Sequence, residues 1–364
     1  MAVCRRNPLE YLLIPLSWIY GLVIIIRNFL FDRQFLEEKE FNIPIISVGN
    51  ITVGGTGKTP HVEYLVNLLK SEFKVATLSR GYKRKSKGFF IAGNDSNPKQ
   101  IGDEPCQIKN KFPEIIVAVD NNRVNGINKL MSIDKSIDVI ILDDAYQHRY
   151  VKPGLSMLLV DYNRPVWDDY LLPFGRLREQ ASGKKRADII LVTNLPGNIS
   201  KSEKDILNKN LRLRDSQNLF FTTVIQERLK PVYSIYPPPT IEIYEKKPAI
   251  LLVCGIANPG NLKKFALNLS SNITEMYFPD HHNFNENDIT TIQKAYSQMP
   301  EIDKIIITTE KDKTRLKYIN SFPEIVKKNM FYLPIRISFL NKEEDKFNNL
   351  ILDYIRNFRR NSMD

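Results

Sequence analysis

Residues 43–60 read IPIISVGNITVGGTGKTP, and this stretch decides the fold. Its first six residues are rich in β-branched side chains, which is typical of a buried strand. A glycine-rich turn follows, and residues 59–69 then show the apolar spacing of an amphipathic helix. A strand, a glycine turn and a helix in this order predict an α/β domain built around a phosphate-binding loop.

The turn ends in a recognisable nucleotide-binding pattern. Gly54-Gly55-Thr56-Gly57-Lys58-Thr59 matches the end of a Walker A motif, although a strict motif would have glycine where this chain has Thr52. Glycines let backbone N–H groups turn toward phosphate oxygens, and a helix N-terminus favours anions. Lys58 can reach the β and γ phosphates, and the Thr59 hydroxyl can bind Mg²⁺. The predicted nucleotide-binding residues are Thr52, Val53, Gly54, Gly55, Thr56, Gly57, Lys58 and Thr59.

A second apolar run ends in two carboxylates. Residues 139–142 read VIIL and are followed by Asp143 and Asp144. An acidic residue at the end of a strand is the Walker B arrangement, which holds Mg²⁺ directly or through water. The alternative is a simple loop or helix cap. Together the two patterns predict a site for a nucleoside triphosphate and Mg²⁺.

The composition limits the class of protein. A length of 364 residues suggests two domains, each with its own core. The three cysteines form no CxxC pair, which excludes a disulfide scaffold and a cysteine-based zinc site. The net charge of +11 favours nucleic acid, anionic lipid or a phosphorylated substrate as partner and does not choose among them.

The N-terminal segment narrows that choice. Residues 11–26 carry no charge, but a spanning helix needs about 20 residues. Basic residues flank the run (Arg5, Arg6, Arg27), and Trp18 lies within it, as is typical of a helix in the lipid headgroup region. We therefore predict a membrane-surface helix within residues 1–35. A signal peptide, a true membrane span and a buried core helix are the alternatives.

The rest of the chain alternates strands and helices. The first group of predicted strands covers 43–48, 74–78, 115–119, 139–142, 156–160 and 189–192. Three prolines at 237–239 mark a linker, and a second α/β pattern follows. The predicted fold is therefore α/β, with a mostly parallel P-loop NTPase-type core over 36–225, a linker over 226–247 and a smaller α/β domain over 248–364.

Three further clusters are candidates for the acceptor side of a kinase site. Asp103 and Glu104 are adjacent carboxylates in the turn-rich run GDEP, His281 and His282 follow Asp280, and residues 173–179 carry two arginines. A carboxylate can orient or deprotonate an acceptor hydroxyl, a histidine can support it, and arginine binds phosphate. An ordinary acidic loop and surface ion pairs are the alternatives.

At these motifs the sequence resembles the tetraacyldisaccharide 4′-kinase family of Gram-negative lipid A biosynthesis. The matching segments are VGNITVGGTGKTP (48–60), LSRGY (78–82), GDEP (102–105), NR (122–123), LDDAYQH (142–148), LPFGRLRE (172–179), FPDHH (278–282) and TTEKD (308–312). The family usually has Gly-Phe where this chain has Ala145-Tyr146. The match is not clear over the last fifty residues.

The resemblance implies transfer of the ATP γ-phosphate to the 4′-hydroxyl of tetraacyldisaccharide 1-phosphate, giving lipid IVA. It implies Asp103 as the base for the hydroxyl, with His281 or His282 supporting it and His281 slightly favoured. The remaining implied roles are Lys58 in catalysis, Thr59, Glu104, Asp143 and Asp144 at Mg²⁺, Arg176 in catalysis and substrate binding, and Arg80, Arg123, Gln147 and His148 in substrate binding.

A four-chain lipid must stay largely in the bilayer, because each buried methylene is worth about 0.8 kcal/mol. The predicted partner is therefore the lipid substrate in an anionic leaflet, at the cytoplasmic face of the inner membrane, with neither nucleic acid nor a protein partner. Two rival interpretations share the glycine loop. A membrane positioning ATPase would have lysine at Val53, and a GTP-dependent metallochaperone needs a guanine-reading Lys and Asp that are missing from 193–196.

Overall fold

The computed structural model describes residues 8–197, 199–300 and 303–361. Arg5 and Arg6 lie outside these ranges. The strands are β1 (Ile45–Gly49), β2 (Val75–Ser79), β3 (Phe90–Ile91), β4 (Ile116–Val119), β5 (Val139–Asp143), β6 (Leu155–Asp161), β7 (Ile189–Thr193), β8 (Asn218–Gln226), β9 (Lys230–Pro231), β10 (Ala249–Cys254), β11 (Ile273–Tyr277), β12 (Lys304–Thr309), β13 (Met330–Leu333) and β14 (Ile335–Phe339). The α-helices are α1 (Ile14–Asp32), α2 (Lys58–Leu69), α3 (Pro98–Ile101), α4 (Asp103–Lys111), α5 (Arg123–Ile133), α6 (Lys201–Leu211), α7 (Ile241–Lys246), α8 (Gly260–Leu269), α9 (Glu286–Gln298), α10 (Glu310–Leu316), α11 (Glu324–Lys328) and α12 (Glu344–Asn361).

The first unit is a nine-stranded, mostly parallel sheet in the order β14-β8-β7-β6-β1-β5-β2-β4-β3. The strand β1 lies in its interior, with Ile46 in register with Ile141 of β5 and Leu155 of β6. All residues of β1, β5, β6 and β7 are buried, because helices cover both faces of a parallel sheet. The predicted α/β class and the predicted strands of this unit are confirmed.

The second unit is a smaller sheet in the order β11-β10-β12-β13-β9. Parallel pairing joins β11, β10, β12 and β13, and α8 and α9 pack against them. The strand β9 pairs antiparallel at the edge, where Pro231 removes no interior hydrogen bond. The second α/β pattern of the sequence is therefore confirmed, and its edge strand falls inside the stretch predicted as a linker.

The C-terminal segment returns to the first unit. The sequence predicts a C-terminal domain over 248–364, but β14 pairs antiparallel with β8 of the nine-stranded sheet. Phe347, Ile351 and Ile355 of α12 are fully buried in the core of that sheet. The physical reason is that β8 would otherwise be an open edge, and the apolar face of α12 needs a partner.

The N-terminal helix docks on the first unit by one narrow face. The Ser17 hydroxyl donates to the Leu171 carbonyl at 3.0 Å, and the Tyr20 hydroxyl donates to the Arg178 carbonyl at 2.7 Å. The opposite face of α1 is apolar and open, with Trp18 73% and Leu22 57% exposed. Helical structure covers 24 residues from Leu9 to Asp32, so the stretch is long and apolar enough to cross a membrane. The helical stretch is longer than the uncharged run of residues 11–26, because it begins at Leu9 and continues past Arg27 to Asp32.

Candidate active site

The candidate site lies where the parallel strands of the first unit end. The glycine-rich loop follows β1, Asp144 follows β5, and residues 169–179 follow β6. In doubly wound sheets, ligands bind outside the carboxyl ends of the strands because the loops there converge. The topology therefore brings the predicted nucleotide motif and the predicted acidic pair together.

The phosphate-binding loop is fixed by side chains beneath it. The Asn50 side-chain amide donates to the Thr56 hydroxyl at 2.7 Å, and the Thr193 hydroxyl donates to the Thr56 carbonyl at 2.9 Å. Gly54 and Gly57 have φ values of 110° and 84°, which other residues rarely adopt. Thr52 is not among the residues with positive φ. The position that departs from the strict motif therefore does not need glycine.

A buried histidine secures the start of α2. His61 is 3% exposed, its Nδ1 lies 2.7 Å from the Gly57 carbonyl, and its Nε2 lies 3.1 Å from the Thr222 hydroxyl. Burial lowers the pKa of His61 to about 4, although the hydrogen bond to Gly57 works in the opposite direction. The imidazole is therefore neutral at physiological pH and ties the end of the loop to β8.

The acidic pair meets the loop lysine. The Lys58 ammonium lies 3.6 Å from the Asp144 carboxylate, and Arg178 donates to the same oxygen at 2.9 Å. Burial alone would raise the pKa of Asp144, but these two cations outweigh it and the pKa is lowered. Asp143 is fully buried, and burial with the nearby Asp144 charge raises its pKa to about 7.

The residues at this point fit a divalent cation. The Asp143 Oδ1 atom is buried without a hydrogen-bond partner in the described structure, although a buried carboxylate oxygen normally has one. A cation would supply that partner and favour ionised Asp143. Among the described residues, no three His, Cys, Asp or Glu side chains form a complete metal site. The ion would therefore share its coordination with nucleotide phosphates, which is how Mg²⁺ usually binds.

Two predicted phosphate-binding arginines differ in position. Arg80 is exposed just beyond β2. Arg123 is 2% exposed and donates to the backbone carbonyls of Asp120 at 2.6 Å and Asp143 at 3.3 Å. Burial lowers the pKa of Arg123 to about 10. Arg123 therefore contacts the acidic pair through the Asp143 carbonyl, and the substrate-binding role that the resemblance implies for it stays a prediction.

Three other predicted residues lie on the loops that follow β5 and β6. The Gln147 amide donates to the Asn50 carbonyl at 2.6 Å and to Glu179 at 3.0 Å. His148 is half-buried, and burial lowers its pKa. The carbonyl of Arg176 accepts a hydrogen bond from the Val53 amide at 2.8 Å. The side chain that reaches Asp144 is Arg178, and the substrate roles predicted for Arg176, Gln147 and His148 stay predictions.

Asp103 stands at the first position of α4, after Gly102 with φ 94°. The sequence predicted a loop here, but the turn formers around the two carboxylates open a helix, whose N-terminus favours negative charge. Asp103 lies 2.8 Å from His281 Nδ1 and accepts two hydrogen bonds from Arg315, at 3.0 and 2.5 Å. Burial opposes ionisation, but these bonds hold the pKa of Asp103 well below its usual range.

Residues of α10 hold Arg315 and Glu104 in place beside Asp103. Asp312 is fully buried and accepts hydrogen bonds from the Gly255 amide at 2.9 Å and the Thr309 hydroxyl at 2.8 Å. It also forms an ion pair with Arg315 at 3.0 Å. Lys311 lies 3.3 Å from Glu104. Residues of the second unit therefore complete the surroundings of both carboxylates on α4.

The two histidines have different surroundings. His281 contacts Asp103, whereas His282 Nε2 lies 2.8 Å from Asp288 in the first turn of α9. The His282 ring stacks on Phe278 at a centroid distance of 4.8 Å. The structure thus brings His281 to the candidate base, and it does not bring His282 there.

Several residues of this site had no role predicted from the sequence, namely Asn50, Lys311, Asp312 and Arg315, and Arg178 was predicted only as one of two candidate phosphate-binding arginines. The available signal was the run TTEKD at the end of a strand, in which Thr309 caps a helix and places Lys311 and Arg315 on one face. This run was among the segments that carry the family resemblance, but no role was assigned to its residues. The fold and the site define a P-loop nucleotide-dependent phosphotransferase.

Comparison with known proteins identifies the family. The family model described as tetraacyldisaccharide-1-P 4′-kinase matches residues 9–356. The tetraacyldisaccharide 4′-kinase of Phocaeicola vulgatus is 48% identical over 352 residues, covering 96% of each chain. That of Flavobacterium johnsoniae is 42% identical over 360 residues, covering 96% of this chain and 98% of the relative. The chain belongs to the tetraacyldisaccharide-1-P 4′-kinase family.

A solved structure agrees with this assignment. The crystal structure of "apo" form LpxK from Aquifex aeolicus in complex with ATP has a TM-score of 0.73 and 30% identity, and covers 95% of this chain and 99% of that chain. The family resemblance drawn from the motifs is therefore confirmed. The positioning ATPase and the metallochaperone are not favoured.

Proposed function

We propose that this chain transfers the γ-phosphate of ATP to the 4′-hydroxyl of tetraacyldisaccharide 1-phosphate. The observation that carries the proposal is the link between the two halves of the site. Helix α4 begins with Asp103 and Glu104, and helix α2 begins with Lys58. The two helices are tied together by the Gln107 amide, which donates to the Glu63 carboxylate at 2.8 Å. The candidate base and the nucleotide motif therefore belong to one site.

On the nucleotide side, the backbone of residues 52–59 and the Lys58 ammonium bind the phosphates. Lys58 already faces Asp144, so its charge is positioned before a nucleotide arrives. Thr59, Asp143, Asp144 and Glu104 would hold Mg²⁺, which when bound neutralises charge on the transferring phosphoryl group. Positioning and charge neutralisation supply most of the catalysis in phosphoryl transfer.

On the acceptor side, Asp103 orients the sugar hydroxyl and receives its proton. His281 and Arg315 keep this carboxylate ionised, so it is always in the accepting form. Arg80 is exposed beyond β2, where it can meet phosphate charge on the substrate. His282, which contacts Asp288, supports the turn and does not take part in the reaction.

The membrane brings the lipid to the site. The open apolar face of α1 enters the bilayer surface, and Tyr20 bonded to the Arg178 carbonyl keeps that helix next to the active-site loop. Basic residues near an anionic leaflet add about 1 kcal/mol each. We infer that the enzyme works at the cytoplasmic face of the inner membrane, anchored through α1.

The proposal is tested with purified protein, γ-labelled ATP and tetraacyldisaccharide 1-phosphate in detergent micelles. The expected result is label in the lipid at the 4′ position. The variant K58M should lose transfer at least a hundredfold, whereas K70M, on an exposed lysine at the other end of α2, should not. Label released as inorganic phosphate with unlabelled lipid would overturn the proposal.

A further inference from the structure

We propose that Lys311 is a positioning residue whose ammonium fixes the tautomer of His281, and with it the direction of the hydrogen bond to Asp103. This inference rests on the proposed function, because it gives a role to the histidine beside the candidate base. Lys311 belongs to α10 of the second unit, and Asp103 belongs to α4 of the first unit.

The two ring nitrogens of His281 face different groups. Nδ1 lies 2.8 Å from Asp103 Oδ2, and Nε2 lies 3.0 Å from Lys311 Nζ. The Arg315 Nη2 atom is 3.5 Å from Nδ1, at the limit of a hydrogen bond, and is held by the same Asp103 oxygen at 2.5 Å. The other groups facing the ring are Asp280, 3.8 Å from Nε2, and the edge of the Tyr82 ring.

Only one arrangement of protons satisfies these contacts. A lysine ammonium has three donors and no acceptor, so the Nε2 atom beside it must offer its lone pair. An ionised carboxylate only accepts, so the Nδ1 atom beside Asp103 must carry a proton. A doubly protonated ring would point an N–H at the ammonium, and the Nε2–H tautomer would also set a lone pair of Nδ1 against the carboxylate. His281 is therefore the neutral Nδ1–H tautomer.

In the resting site, before any transfer, Asp103 is the ionised partner of His281. The Arg315 fork donates to both of its oxygens, and Asp312 holds Arg315 in place from the other side. Lys311 is held as well, since Glu104 lies 3.3 Å and Asp280 lies 3.8 Å from its Nζ atom. Lys311 and Arg315 are four residues apart and lie on one face of α10.

The consequence concerns where the acceptor proton goes. Because Nδ1–H donates to Asp103, the imidazole cannot take a proton through that nitrogen, and Lys311 blocks the other. A carboxylate has about four lone-pair sites, and Arg315 and His281 use three of them, which leaves one on Oδ1 of Asp103. During transfer the proton of the sugar hydroxyl therefore passes to Asp103 Oδ1, and the role of His281 is to orient the carboxylate. The second unit supplies this orientation through Lys311, as a second-shell hydrogen bond fixes tautomers elsewhere.

The test is the imidazole ¹⁵N NMR spectrum of the full-length protein in detergent micelles. The chain has four histidines, so the His281 signals can be assigned by comparison with H281Q. The wild-type protein should show protonated Nδ1 and unprotonated Nε2 for His281. In K311M this pattern should be lost, and K311R should restore it. K328M, on an exposed lysine of α11, is the matched control.

Transfer kinetics give a second reading. K311M should lower kcat roughly tenfold to a hundredfold with an unchanged KM for ATP, and K311R should recover most of the loss. A wild-type His281 that carries its proton on Nε2, or a K311M spectrum identical to wild type, would overturn the inference. The wild-type spectrum decides even where K311M does not fold. Full transfer by an Asp103 variant would reject the proposed base and leave the hold of Lys311 on His281 intact.

Discussion

Arg315 forms a two-pronged ion pair with Asp103, which lies 212 residues earlier in the chain and on the other structural unit. Its remaining nitrogen bonds to Asp312 at 3.0 Å, so the guanidinium is fixed from both sides. Arg–carboxylate forks are the strong and geometrically specific ion pairs. The acceptor side of the site is therefore assembled only while the second unit holds this position.

Replacement of Arg315 tests that dependence. R315Q should lower kcat about tenfold to a hundredfold while ATP binding stays within twofold. The reason is that the hydrogen bonds of Arg315 in the described part of the chain go to Asp103, Asp312, Gly255 and His281, and not to the nucleotide loop. R315K should be intermediate, since lysine keeps the charge and loses the fork. Steady-state transfer and nucleotide titration measure the two effects. R356Q, an exposed arginine of α12, is the control. Wild-type turnover in R315Q would contradict the prediction, because it would show that catalysis does not need the contact between Arg315 and Asp103.

The two neighbouring histidines should give opposite phenotypes. H281Q removes the contact with Asp103 and should lower kcat roughly a hundredfold with little change in stability. H282Q removes the contact with Asp288 in the first turn of α9 and should lower the free energy of unfolding by about 1 kcal/mol with near wild-type kcat. Kinetics and thermal unfolding of both variants decide. A large kcat defect confined to H282Q would contradict the assignment.

Buried His61 predicts a pH dependence of stability. Its folded-state pKa is lowered to about 4, so the unfolded chain binds a proton more readily. Stability is therefore fully present above about pH 6.5 and falls as the pH drops toward 4, by about 3 kcal/mol in all. The variant H61Q should lack this part of the slope. Chemical unfolding at a series of pH values measures it, and equal slopes in both proteins would refute the prediction.

The exposed face of α1 predicts membrane binding. The double variant W18E/L22E places two charges on that face and should reduce partitioning into anionic vesicles at least tenfold. I235E changes a residue that is 79% exposed elsewhere and should bind like wild type. Vesicle sedimentation provides the measurement. Undiminished binding of W18E/L22E would place the membrane contact on another surface.

Patterns that depend on neighbours in sequence were readable from the chain alone. Continuous β-branched runs predicted β5 and β7, because parallel strands are covered on both faces. The strand predicted over 189–192 is observed as Ile189–Thr193, one residue longer. The phosphate-binding loop was predicted since its glycines and lysine are consecutive.

Features that depend on long-range pairing were not readable. No local signal says that β14 leaves the second unit to pair with β8. The paired residues are far apart in the chain, from 109 residues for Ile335 with Gln226 to 117 residues for Phe339 with Thr222. Equally, two adjacent histidines look alike in sequence. In the structure His281, at a positive φ of 60°, contacts Asp103, whereas His282 contacts Asp288. Arg178 and Arg176 also look alike in sequence, but Arg178 donates to Asp144 whereas the Arg176 side chain is exposed.

The most direct test of the central claim is single-turnover transfer by D103N in the presence of saturating ATP and lipid acceptor. Asparagine keeps the size of the side chain and cannot accept the hydroxyl proton. The account predicts ATP binding within twofold of wild type and a loss of transfer between a hundredfold and about ten-thousandfold. Transfer within threefold of wild type would contradict it.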